Sequence, residues 1–399
     1  MYTPPRKILE NYAKILVNFA LNSGKGIRKG DVVYLATQLP GLPLAKEIYR
    51  TILISGGFPM IRLLDDDLQL IHYQVATEAQ LKFFPEKSMK GLADQINQWI
   101  RILAYEDPLC FKNIDPRKIM LSINSAKKFR DWLDRKEDEE RFTWTLGLYG
   151  TLGSAREAGL TEKEYWGQII KACFLDKKDP VGCWKKVFAT ITKVVRWLDD
   201  LPIERLHVRA SDTDLRITLG KKRKWLGGSG RNIPSFEIFT SPDWRGTEGK
   251  IRFNLPLYRY GNLLKDIRLE FRNGRVVKAS AGQNEKFLKQ MIAQKNADKI
   301  GEFSLTDRRF SRITKFMANS LYDENYGGRF GNTHIAVGKS YHDTYTGNAK
   351  RMNGSDWGKL GFNSSPEHTD IIATDDRTVT AHLKGGGKKV IYEGGEFAV

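Results

Sequence analysis

The sequence predicts an α/β domain with a parallel sheet over residues 1–202, followed by an antiparallel, strand-rich α+β domain over residues 203–399. Three observations carry this. A strand, a helix and a second strand follow one another between Asp31 and Leu64, and a βαβ unit of that length implies parallel pairing. Asp199-Asp200-Leu201-Pro202 then ends a long helical pattern, because proline cannot continue a helix. Beyond Pro202 the apolar residues recur every second position instead of every third or fourth.

Ile8, Tyr12, Ile15, Leu16 and Phe19 form one stripe of an opening helix. Residues 31–35 read as a buried strand, and residues 44–55 as a helix ended by Gly56-Gly57. Residues 60–64 form the next strand, and further strands are expected at 99–104 and 119–122. Helices follow at 162–174 and 180–198, the second with Trp184, Val187, Phe188, Ile191, Val194, Val195 and Leu198 on one face. After the boundary, Leu206, Val208 and Ala210, then Leu215, Ile217 and Leu219, alternate with polar residues. Asn273-Gly274 between apolar alternations is the strongest hairpin signal in the chain. Helices are expected at 285–297 and 310–321, and the last 30 residues alternate again around Gly385-Gly386-Gly387.

The chain has 399 residues, 41% hydrophobic and 28% charged, which supports large cores and excludes wholesale disorder. No uncharged stretch exceeds 14 residues, and one of that length, residues 32–45, contains two prolines; this is too short for a membrane-spanning helix. Arg6, Lys7, Glu10 and Lys14 break any secretory signal. Cys110, Cys173 and Cys183 are odd in number and lack metal-site spacing, so they read as reduced thiols of a cytoplasmic protein. The net charge of +18 is spread along the chain, with 31 basic and 25 acidic residues in 1–200 and 34 and 22 in 201–399. The densest run is Lys221-Lys222-Arg223-Lys224, which reads as a solvated loop. No zinc-finger spacing, RNA-recognition motif or leucine zipper accompanies it, so nucleic acid is not the expected partner. The first domain carries neither GxGxxG nor a GKS/GKT phosphate loop.

Chemistry concentrates in the second domain. Four of the six histidines (His334, His342, His368 and His382) fall between residues 334 and 382. His368-Thr369-Asp370 would place an imidazole and a carboxylate on one face of a strand that continues into apolar Ile371-Ile372-Ala373. Glu237 and Glu302 are single charges in apolar, strand-like segments, unfavourable unless paired or metal-bound. Such acids and histidines form a ligand set of the kind that holds two divalent ions. The pattern alone does not fix which acids meet which histidines.

Five blocks in order resemble the thermophilic-type metallo-aminopeptidases, the aminopeptidase T and aminopeptidase S group: TDL at 213–215 leading to RNIPSFEIFTSP at 231–242, IGEFSL at 300–305, SLYDEN at 320–325, HIAVG at 334–338 with Tyr341 three residues on, and HTDIIA at 368–373. The resemblance implies a catalytic second domain with two divalent ions (Zn, Co, Mn or Mg) bound by Glu237, Glu302, His334, His368 and Asp370. In it Glu302 bridges and Tyr341 is the active-site tyrosine. It also implies peptide substrates with a free N-terminus and a homodimer. Phe236 stands where the family usually has glycine, and Ile371-Ile372 where it has Phe-Met; these departures bear on substrate preference. His342 and His382 match no ligand position. A two-metal phosphoesterase or nuclease, and a non-catalytic nucleic-acid-binding protein, are the alternatives that the charge keeps open.

Overall fold

The computed structural model describes residues 2–228 and 230–399. It divides into two compact units: Met1–Phe188 with Ser229–Ser235 and Phe316–Tyr322, and Ala189–Gly228 with Phe236–Lys315 and Asp323–Val399. Among the described residues no helix is long and apolar enough to cross a membrane.

The first unit is built on a four-stranded, wholly parallel sheet in the spatial order Phe58–Leu64, Val32–Gln38, Gln98–Leu103, Thr143–Leu148. Val32–Gln38 is central and almost entirely buried, as the continuous apolar run requires. Its neighbour Phe58–Leu64 lies at the edge and is largely exposed. The opening helix, Arg6–Asn18, buries Tyr12, Ile15 and Leu16 as its stripe predicts. Leu42–Ile54 stops at Gly56, whose φ of +78° suits glycine, and the Gly57 N–H caps the Ile52 carbonyl at 3.0 Å.

Two expectations fail. Residues 119–122 are not a strand but lie within the helix Pro116–Ser125. A short apolar run does not distinguish the two by periodicity; the decisive feature is Asp115-Pro116, where the Asp115 carboxylate caps the Arg117 N–H at 3.0 Å and proline occupies the first turn. The fourth strand is Thr143–Leu148 instead. Residues 310–321 do not form a helix; only Ser320–Asp323 is helical there. Ala318 takes a left-handed φ of +51°, which interrupts any right-handed helix.

The second unit carries an eight-stranded antiparallel sheet in the order Arg275–Ser280, Ile267–Arg272, Glu248–Phe253, Thr213–Thr218, Ile203–Ala210, Thr378–Leu383, Lys388–Glu393, Glu396–Phe397. The turn Asn273-Gly274 has both residues at positive φ, +50° and +74°, the geometry a two-residue hairpin demands. A five-stranded antiparallel sheet follows the order His368–Ala373, Asn332–Gly338, Ile300–Thr306, Glu237–Thr240, Leu226–Gly227. Its strands Ile300–Thr306 and Asn332–Gly338 are buried at every position. Any ionisable group on them is therefore out of water on whichever face it lies.

Gly338 ends the Asn332–Gly338 strand at φ +104°, and a Cβ there would sit 2.1 Å from the Glu367 carbonyl oxygen. Gly338→Ala must then strain its own backbone and displace the neighbouring strand. We expect it to lower stability by about 1–3 kcal/mol, measured as a fall in melting temperature by calorimetry.

Candidate metal centre

The five-stranded sheet brings the predicted ligands to one face. In the ladder Glu302 pairs with Ala336, which pairs with Asp370; Ser304 pairs with His334; Thr306 pairs with Glu237; and Gly338 pairs with His368. Residues directly opposite in an antiparallel pair share a face, as do residues two apart on one strand. Glu237, Glu302, His334, His368 and Asp370 thus project together, from four adjacent strands. Beside His334, the strand Asn332–Gly338 places only Ala336 and Gly338 opposite Glu302, Asp370 and His368, which leaves room for long side chains to meet above it. A register irregularity between Ile300 and Glu302 surrounds Gly301, where a Cβ would lie 2.1 Å from the Lys339 carbonyl oxygen. Such bulges re-aim side chains.

The distances confirm the convergence. His334 Nε2 lies 3.2 Å from Glu237 Oε2, 3.3 Å from Glu302 Oε1 and 4.0 Å from Asp370 Oδ1. His368 Nε2 lies 3.4 Å from Asp370 Oδ1 and 3.9 Å from Glu302 Oε2. The two oxygens of Glu302 are therefore directed at different imidazoles. Tyr341 stands beside the cluster, its ring centroid 4.7 Å from that of His368. His342 is not brought in: it stacks on Trp357 at 3.9 Å. His382 lies on the eight-stranded sheet, 6.1 Å from the His207 ring.

Each imidazole is oriented from behind. His368 Nδ1 is 2.8 Å from the Lys339 carbonyl, which only accepts, so Nδ1 carries the proton and Nε2 faces the carboxylates. The Asn332 amide donates through Nδ2 to the carbonyls of Glu324 and Tyr326, which turns its Oδ1 toward His334 Nδ1 at 3.4 Å. The Ser304 hydroxyl donates to Glu237 Oε2 at 3.2 Å. Holding the second ring nitrogen in this way is how proteins prepare histidine to ligate a metal.

The model of the thermophilic metalloprotease (M29) family matches residues 6–397. This chain belongs to that family. Similar proteins include Aminopeptidase AmpS of Bacillus subtilis (strain 168), 26% identical over 413 residues, spanning 98% of each chain. Aminopeptidase T of Thermus aquaticus is 25% identical over 418 residues, spanning 98% of this chain and 99% of that one. Among solved structures, wild-type AmpT from Thermus thermophilus shares the fold, with a TM-score of 0.82 at 23% identity over 99% of this chain and 100% of its own.

Membership of the M29 family implies a divalent metal, and the donor set fits one. Ligand atoms of Glu237, Glu302 and His334 all lie within 4.8 Å of one another, and all three side chains are buried. The electrostatics point the same way. Burial, with Glu237 and Asp370 nearby, raises the Glu302 carboxyl to about 7 despite its contact with His334. Burial also pushes Glu324 well above the carboxylate range, reinforced by Glu237 and Asp370. Burial alone would depress both histidines, yet Glu237 and Glu302 hold His334 up, and Asp370 does the same for His368. Burial would raise Asp370, but His368, His334 and Arg259 together hold it low. A buried cluster with this excess of negative charge takes up cations, protons or metal.

Three partners escaped sequence reasoning. Glu324 lies within the matched block 320–325 but stands outside any apolar strand pattern, so nothing marked it as buried. Glu367 precedes His368 and is almost fully buried. Arg259 Nη2 reaches Glu367 Oε1 at 2.9 Å, the Tyr260 hydroxyl at 2.8 Å and also the His368 carbonyl. Thr369 and Tyr260 donate to the same Glu367 carboxylate. Arg259 and Glu367 are 108 residues apart, a pairing that no local signal discloses.

Glu302→Gln removes a charge that faces both imidazoles and should abolish most metal binding, whereas His342→Ala should retain it; metal content by inductively coupled plasma mass spectrometry checks the pair. Arg259→Gln, which frees the backbone of His368, should weaken metal affinity about 10–100-fold, measured by competition with a chromogenic chelator.

Proposed function

We propose that this protein is a dinuclear metal-dependent aminopeptidase that releases the N-terminal residue of peptides, with residues 203–399 as the catalytic domain. The observation that carries this is the convergence of Glu237, Glu302, His334, His368 and Asp370 on one buried sheet face, in a chain whose full-length relatives are named aminopeptidases. These five side chains would hold two divalent ions, with Glu302 shared between them, because its two oxygens address different imidazoles. Carboxylate-rich donors with imidazole suit Zn, Co, Mn or Mg. When bound, the ions supply Lewis acidity that polarises a peptide carbonyl and lowers the pKa of water toward neutrality.

The chain's own groups do the rest. Glu302 also accepts a proton on a carboxylate oxygen as general base. Tyr341 donates its phenolic hydrogen to the oxyanion that develops on the scissile carbonyl. The acids of the cluster attract the substrate's free α-ammonium, which favours cleavage at a chain end. The burial of the sheet face keeps bulk water from competing for these charges.

The phosphoesterase and nucleic-acid-binding readings rested on basic charge. Arg223 of the basic run is spent internally, on the carbonyls of Ser241, Lys221 and Leu360. Free Cys110, Cys173 and Cys183 support a reducing, cytoplasmic setting. The exposed apolar side chains of Phe58, Ile61 and Leu63 on an edge strand support a homodimer.

Chelation should abolish hydrolysis of aminoacyl anilides, and Zn, Co or Mn should restore it. Full activity of rigorously metal-free protein, or cleavage of nucleotide esters in its place, would sink the reading. Tyr341→Phe should lower turnover about 10²–10³-fold with metal content and melting temperature unchanged; a loss of stability with little loss of rate would make Tyr341 a packing residue.

A further inference from the structure

We infer that Arg223, from the basic run, is a positioning residue for Tyr341. The inference rests on the reading of Tyr341 as the hydroxyl that serves the reaction. Arg223 is turned inward, and each of its three nitrogens donates to a main-chain carbonyl: Nε to Ser241 at 2.6 Å, Nη1 to Lys221 at 2.8 Å and Nη2 to Leu360 at 2.8 Å. The guanidinium also lies 3.5 Å above the Phe362 ring, a stacking geometry that arginine adopts and lysine cannot reproduce.

These contacts converge on the Tyr341 turn. The Tyr341 N–H donates to the hydroxyl of Ser241 at 2.9 Å, the same residue whose carbonyl Arg223 holds. Ser241 is completely buried, so this anchor has no water to replace it. On the far side of the turn, the Thr344 hydroxyl donates to the Tyr341 carbonyl at 2.8 Å. The basic run then exchanges main-chain bonds with the same segment, Lys224 N–H to the Thr344 carbonyl at 2.8 Å and Thr346 N–H to the Lys222 carbonyl at 3.1 Å. Phe362, under the guanidinium, belongs to the aromatic cluster with Tyr345 and Trp357 against which His342 stacks. Arg223 thus ties together the segments before, beside and after Tyr341, whose ring lies 4.7 Å from that of His368. It touches none of the five ligands and acts only through the backbone that carries Tyr341. A misplacement of about 1 Å at a reacting group is enough to cost up to 10²-fold in rate.

The test is a double-mutant cycle on the metal-loaded protein, with amide hydrogen exchange of residues 339–346 as a readout independent of activity. Arg223→Gln should lower kcat roughly tenfold or more with bound metal unchanged, and should cost nothing further in the Tyr341→Phe background. Exchange of the Tyr341 amide should quicken. Arg223→Lys keeps the charge but not the three-way fork; it should fall between wild type and Arg223→Gln, and it takes over the test if Arg223→Gln does not fold. An equal loss of kcat in both backgrounds, a fall in bound metal, or unaltered exchange at Tyr341 would overturn the inference. If Tyr341→Phe alone keeps full turnover, the reading of Tyr341 fails, and amide exchange still decides whether Arg223 fixes the turn.

Discussion

Charge removed from water is the constraint on which this structure turns. Glu237, Glu302 and His334 sit on strands with no exposed position, and Glu324 and Glu367 are buried beside that sheet. Isolated, each ionised group would cost several kcal/mol. The surrounding architecture exists to meet that cost together: adjacent strands in one register, a small residue at the crossing point, a bulge at Gly301, and hydrogen-bond acceptors placed behind both imidazoles. The same arrangement gives Glu237, Glu302 and His334 ligand atoms close enough together to hold a metal ion.

The supporting contacts extend well beyond the five predicted ligands. Arg259 and Glu367 fix the backbone at His368, Asn332 fixes the ring of His334, and Ser304 fixes Glu237. Arginines that look on paper like surface charge are used in this way more than once. Arg377, almost fully buried, donates to the Arg252 carbonyl at 2.6 Å and pairs with Asp375 at 2.9 Å. Net charge therefore overstates how basic a surface this chain offers a polyanion, because part of the excess faces its own carbonyls.

The first unit illustrates a different economy. Its parallel sheet is hydrophobic through the centre, where both faces are covered, and Asn11 is buried in its opening helix only because its side-chain amide finds the Leu175 carbonyl at 2.7 Å. All five predicted ligands and Tyr341 belong to the second unit. The division of labour is visible in the residue types, apolar runs in one half and single acids within apolar strands in the other.

The sequence by itself determined the class of each half and the Asn273-Gly274 hairpin, and it singled out the acids and histidines that meet on one sheet face. Period-two alternation, a left-handed turn pair and a lone carboxylate among apolar neighbours are all local properties. It misread residues 119–122 and 310–321, where a cap at Asp115 and a left-handed Ala318 overrode the apolar pattern. Only the tertiary structure decided that Glu302 faces two imidazoles, that Glu324 and Glu367 are buried, and that Arg223 and Arg259 serve as braces. Those facts follow from strand register and from contacts across a hundred or more residues, as between Arg259 and Glu367. A one-residue slip in pairing would turn Glu302 to the opposite face, and no local pattern along the chain encodes which register the assembled sheet adopts.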